Sequence, residues 1–298
     1  MTTPVDRPDG QPDDSAAIGA PVVALVETDD GVESGLVEAR PKRRKGIYIL
    51  PNLFTLAALF FGFFAILQAM NGLFEQAAVS VFWAMVLDSL DGRVARMTNT
   101  QSAFGAEMDS LSDMVSFGAA PALIVYEWAL KGLGKLGLIA AFVYCACAAL
   151  RLARFNTNLL VIDKRFFQGL PSPAAAALVM GLVWVMDNQG YKDVSHLPWL
   201  AWVAFAFTLY AGLTMVTNAP FYSFKDVSFK RSVPFITIVA IALLIALIQL
   251  HPPIVLFGLF CLYGISGYAA YIRRRVRGQR VSVIATSTDE PDEQGLHR

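Results

Sequence analysis

Residues 88–113 read D-S-L-D-G-R-V-A-R-M-T-N-T-Q-S-A-F-G-A-E-M-D-S-L-S-D, and set Asp88, Asp91, Asp109 and Asp113 between two long apolar segments. An unpaired carboxylate beside a membrane-like environment costs several kcal/mol, so four of them need a reason. On helices, Asp88 and Asp91 are three apart and Asp109 and Asp113 four apart, and each pair therefore projects from one helical face as a chelate. The intervening 98–103 are small and mostly polar, which lets the chain turn back so that two antiparallel helices bring all four carboxylates to one depth. With only Arg93 and Arg96 beside them, four converging negative charges repel strongly at low effective dielectric, and cations are required.

The stretch has no histidine or cysteine, and an oxygen-only ligand set favours hard ions such as Mg²⁺ or Mn²⁺ over zinc or copper. Two such ions a few ångströms apart can grip a phosphate and steer an in-line displacement. Gly92 and Ala95 fall on or beside the carboxylate face and leave room for a bulky ligand. Arg96 adds a phosphate fork.

Outside this stretch the composition settles the class. Hydrophobic residues make up 55% of the 298 and charged residues 16%, with a mean hydropathy of +0.50, which excludes an ordinary soluble globule. Apolar segments able to approach or cross a core of about 30 Å recur near 47–70, 73–97, 105–130, 136–155, 172–187, 197–217, 233–250 and 253–272. The expected fold is thus an all-α integral membrane protein of about eight transmembrane helices. Residues 1–45 read as a disordered arm ending in the basic cluster Arg40, Lys42, Arg43, Arg44 and Lys45, 46–273 as the membrane domain, and 274–298 as a disordered tail. The basic cluster suits positive-inside residues or a contact with anionic lipid.

The run Leu73 to Leu87 nearly exhausts the hydrocarbon thickness before Asp88 is reached, so the aspartates belong near the surface. Of the 24 lysines and arginines, only Lys131, Lys135 and Lys192 fall in loops on the far side when the amino terminus is cytoplasmic. That bias places both termini and the carboxylate site inside. A bacterial inner membrane is the expected location.

Several residues outside the aspartate stretch have two readings. Pro51 opens the first helix, where Asn52 and Thr55 either cap the first turn or meet a ligand. Arg151 and Arg154 share a face at the cytoplasmic level and either bind an anion or snorkel to headgroups. Lys225, in a later cytoplasmic loop, either meets a phosphate or carboxylate or is simply solvated. Cys145, Cys147 and Cys261 lie in apolar segments and read as reduced packing residues. His196, His251 and His297 are placed away from the aspartates.

The spacing D-x2-D-G-x2-A-R-x8-G-x3-D-x3-D, with Gly105 as its middle glycine, is the signature of the CDP-alcohol phosphotransferase family, which the chain resembles. That resemblance implies a six-helix core, a homodimer, no nucleic-acid partner, and transfer of a substituted phosphoryl group from a CDP-alcohol to a hydroxyl with release of CMP. By motif position it assigns two divalent metals to Asp88, Asp91, Asp109 and Asp113, the general base to Asp113, and contacts with the cytidine diphosphate to Gly92, Arg96 and Ser102. Asn52 matches a first-helix position near the same ligand through P-N-x-x-T.

Further runs, S-D-M-V-S-F-G-A-A-P-A from Ser112, R-L-A-R-F-N from Arg151, G-L-P-S-P-A-A-A from Gly169 and F-Y-S-F-K from Phe221, resemble the phosphatidylserine synthase branch. The branch implies CDP-diacylglycerol and L-serine as substrates, with Arg151, Arg154 and Lys225 as candidate partners of the serine carboxylate. Two other readings stand beside it. The acceptor is another alcohol, glycerol 3-phosphate or inositol, or the aspartates line a divalent-cation pathway, which requires them near the midplane.

Overall fold

The computed structural model describes residues 49–98, 100, 102–157, 166–192, 194, 197–217, 219–222 and 235–276. The amino-terminal arm with its basic cluster, Lys225, His196, His297 and the tail beyond 276 lie outside them. Among the described residues, eight helical rods stand where the apolar segments predict. They are α1 (Ile49–Met70), α2 (Phe74–Met97), a composite third rod, α5 (Lys135–Thr157), α6 (Ser172–Asn188), α7 (Pro198–Val216), α8 (Phe235–Leu250) and α9 (Pro252–Val276). The third rod consists of α3 (Ala103–Asp113), a π-helical turn over Met114–Ala119 and α4 (Ala120–Trp128).

Among the described residues, four helices, over Pro51–Met70, Lys135–Thr157, Pro198–Val216 and Pro252–Arg273, are long and apolar enough to cross a membrane. The Ser172–Asn188 and Val239–Leu250 helices are apolar but shorter. In α2 and the third rod, the carboxylates dilute an otherwise apolar sequence. Two three-residue strands, β1 (Phe166–Gln168) and β2 (Pro220–Tyr222), pair antiparallel in the loops, with Phe167 opposite Phe221.

At the centre, α6 touches α2, α4, α7 and α9. Its run Ala174 to Ala177 is at most 6% exposed, and residues this small let helices approach closely where no water drives them together. The apolar stripe Leu53, Leu56, Phe60, Phe63, Leu67 and Met70 on α1 is exposed, as is most of α8, which suits surfaces solvated by lipid.

Both ends of the bundle are tied by polar contacts. At one end, the Gly169 N–H donates to Ala219 O at 3.0 Å and the Leu170 N–H to Thr214 O at 3.1 Å. Gly169 has φ +74° and lies against the Met215 carbonyl, where a Cβ would collide. At the other end, Trp128 Nε1 donates to Tyr191 O at 3.1 Å.

The start of α2 is capped from a distance. Leu73, at its N-cap position, has no side-chain oxygen to offer, and Asp187 of α6 accepts from the Glu75 N–H at 3.2 Å. Helix caps contribute about 0.5–2 kcal/mol. Asp187→Ala is expected to lower stability by about 1 kcal/mol, seen as a lower melting temperature in detergent, while Asp187→Asn keeps an acceptor and most of the effect. An unchanged Asp187→Ala protein would show that α2 does not depend on this cap.

Candidate active site

The turn between the two carboxylate helices is built by its small polar residues. The Thr98 hydroxyl donates to Val94 O at 2.7 Å and lies 2.7 Å from the Thr100 hydroxyl. The Ser102 oxygen accepts from the Gly105 N–H at 3.0 Å and so caps α3. α3 packs against α1, which also lies along α2.

Thr55 joins these three helices. Its hydroxyl donates to Asp91 Oδ2 at 2.7 Å and lies 3.2 Å from Pro51 O, while its carbonyl accepts from Ser112 Oγ at 3.2 Å. The sequence leaves Thr55 open between cap and ligand contact; in the structure its hydroxyl bonds Asp91.

Asp88, Asp91 and Asp109 each offer an oxygen within 4.8 Å of the others, and Asp88 lies against both Asp109 and Asp113. Asp91 is only 5% exposed. Asp109 Oδ1 and Asp113 Oδ1 are buried and find no hydrogen-bond donor among the described residues. Orphaned carboxylate oxygens at this density, with no nitrogen or sulfur ligand among them, fit a hard divalent cation.

A cavity of about 290 Å³ opens beside this cluster, near the lower end of the range for ligand pockets. Asp91 and Asp109 line it, and so do Asn52, Gly92, Arg96 and Ser102, the four positions expected to meet a nucleotide. Gly92 faces open space, whereas a Cβ on Gly105 would lie 3.1 Å from Ser102 Oγ and 3.3 Å from Asn52 Oδ1. Thr100 and Ala106 also line the cavity. No spacing rule singles them out, because their place follows from the turn.

Asp88 and Asp113 are not among the cavity-lining residues. On that side stands Arg151, whose Nη1 donates to Ser172 Oγ at 2.6 Å and whose charge acts on Asp113. Ser172 opens α6 and was missed by sequence reasoning, although G-L-P-S-P marks the helix start. Arg154 follows a different course, with Nη1 donating to Val216 O at 3.4 Å. His251, between α8 and α9, is exposed.

The sequence model of the CDP-alcohol phosphatidyltransferase family matches residues 48–210, which takes in α1 to α6 and most of α7. The chain belongs to the CDP-alcohol phosphatidyltransferase family. Among curated members, a CDP-diacylglycerol–serine O-phosphatidyltransferase of Helicobacter pylori is 37% identical over 74% of this chain and 90% of its own length. One of Methanocaldococcus jannaschii is 34% identical over 63% of this chain and 82% of its own. Among solved structures, phosphatidylinositol phosphate synthase of Mycobacterium tuberculosis with CDP-DAG bound is 21% identical, covering 57% of this chain and 85% of that one at a TM-score of 0.40. As a CDP-alcohol phosphatidyltransferase, the chain is an integral membrane transferase, and its acidic triad can hold a divalent metal.

Proposed function

We propose that this chain transfers the phosphatidyl group of CDP-diacylglycerol to L-serine, giving phosphatidylserine and CMP. The observation that carries the chemistry is the convergence of four aspartates from α2 and α3 beside a cavity lined by Asn52, Gly92, Arg96 and Ser102. The serine-using relatives favour the acceptor.

Asp88, Asp91, Asp109 and Asp113 are proposed to hold two divalent ions, Mg²⁺ or Mn²⁺. When bound, these ions neutralise the diphosphate and stabilise charge on departing CMP. Arg96 and Asn52 hold the cytidine diphosphate, and Gly92 leaves room for it. Arg151, with Ser172 beside it, faces the serine carboxylate; Arg154 and Lys225 are the further candidates for that contact. Asp113 takes the proton of the serine hydroxyl as its oxygen forms a bond to the lipid-bearing phosphorus. The bond from that phosphorus to the bridging oxygen breaks, and CMP leaves with the electron pair.

We also propose that the site faces the cytoplasm at a bacterial inner membrane and that the protein is a homodimer. Residues 1–45 and 274–298 would flank the catalytic domain as cytoplasmic extensions.

Thr55→Val removes the hydroxyl on Asp91 while keeping the size of the side chain. Outer partners of metal ligands are worth about 10- to 100-fold, so activity should fall by about tenfold or more, accompanied by a higher metal requirement. An unchanged metal titration would show that Thr55 serves packing alone.

The deciding experiment measures CMP release by purified protein with CDP-diacylglycerol and Mg²⁺ or Mn²⁺, comparing L-serine, glycerol 3-phosphate and inositol. Serine-dependent release with phosphatidylserine formed is the expected result. Release with a different alcohol alone keeps the aspartate chemistry and overturns the acceptor; no release with any acceptor from folded protein overturns the enzyme reading.

A further inference from the structure

A proline inside a helix lacks the N–H that would bond the carbonyl four residues earlier, and its ring crowds that carbonyl. Pro121 stands in this relation to Phe117. The chain accommodates it by opening Met114–Ala119 into a π turn, in which the Ala120 N–H reaches back five residues to Val115 O. Tyr144 of α5 then donates its hydroxyl to Phe117 O at 3.0 Å, and both residues are 0% exposed. Gly118 lets α5 come this close, since a Cβ there would lie 3.2 Å from the Ala148 Cβ.

Asp113 immediately precedes the π turn. Arg151, which acts on Asp113, lies seven residues beyond Tyr144 and therefore on the same face of α5. The far flank of the turn is held by α1, where Ala58 O accepts from Ser116 Oγ at 3.1 Å. The one-residue excess of the turn is thus gripped from two sides, next to a carboxylate of the site.

We propose that Tyr144 is a positioning residue for phosphatidyl transfer: its hydroxyl, on the Phe117 carbonyl, holds the π turn in register and so fixes the direction in which Asp113 faces the acceptor. The inference rests on Asp113 acting as the base. Full relaxation of the turn to α geometry would rotate α3 against α4 by about 100°, one residue's worth of helix, so even a partial loosening turns Asp113, the residue next to the turn, off its direction.

Tyr144→Phe keeps the ring and removes only the donor. The expected result is a kcat per folded molecule lowered about ten- to hundredfold, as small misplacements of reacting groups allow, with KM for CDP-diacylglycerol and serine within about twofold of wild type. Pro121→Ala provides a second, independent reading. It restores an N–H able to serve Phe117 O in α geometry, and should lower kcat without lowering the melting temperature.

A wild-type kcat in Tyr144→Phe overturns the proposal, as does a loss explained entirely by a smaller folded fraction. Should Tyr144→Phe not fold, an unchanged kcat in Pro121→Ala overturns it. Failure of the functional reading looks different, because the wild-type protein itself would then release no CMP with serine.

Discussion

Asp113→Asn is expected to abolish phosphatidyl transfer while leaving the binding of CDP-diacylglycerol largely in place. A positioned general base contributes about 10²- to 10⁴-fold, and this residue also belongs to the carboxylate cluster, so a loss of at least about a thousandfold is expected. Binding survives because the cavity is lined by Asp91, Asp109, Arg96 and Asn52 and not by Asp113. The two halves separate in one experiment that reads CMP release and CDP-diacylglycerol binding on the same detergent-purified variant. An active Asp113→Asn protein would remove Asp113 as the base.

Chelation carries the second large effect. EDTA should silence the enzyme, and Mg²⁺ or Mn²⁺ should restore it, whereas Zn²⁺ and Cu²⁺ suit an all-oxygen ligand set poorly. The same treatment is readable without turnover. Ions that bind only the folded state stabilise it by about 2.7 kcal/mol at a hundredfold excess over their Kd, so the melting temperature should rise on adding metal to the stripped protein. In Asp91→Ala that rise should shrink. Full activity in EDTA would rule out the metal role of the cluster.

The convergence of Asp88, Asp91 and Asp109 was legible in the sequence because their spacing is short-range and their cost in an apolar setting is high. The helices were legible from hydropathy alone. What escaped depends on partners distant in the chain. Arg151 and Arg154 look equivalent at a spacing of three, yet Ser172 on α6 draws one inward and Val216 at the end of α7 receives the other. Thr55 could be assigned only once α2 was seen to bring Asp91 against it. The third rod read as one continuous helix, because Pro121 in an apolar run signals a disturbance without saying which kind. Strands of three residues, such as Phe166–Gln168 and Pro220–Tyr222, are too short to leave a periodic trace.

The alanine run on α6 bears on how this protein can change over evolutionary time. Ala174 to Ala177 are almost wholly enclosed, and enlarging a side chain in so close-packed a place typically costs about 1–3 kcal/mol. The exposed stripe of α1 and the surface of α8 meet no such limit, since any apolar side chain of ordinary size serves there. Sequence drift should therefore collect on the outer helices and pass over Ala174 to Ala177, although none of the four lines the carboxylate cavity.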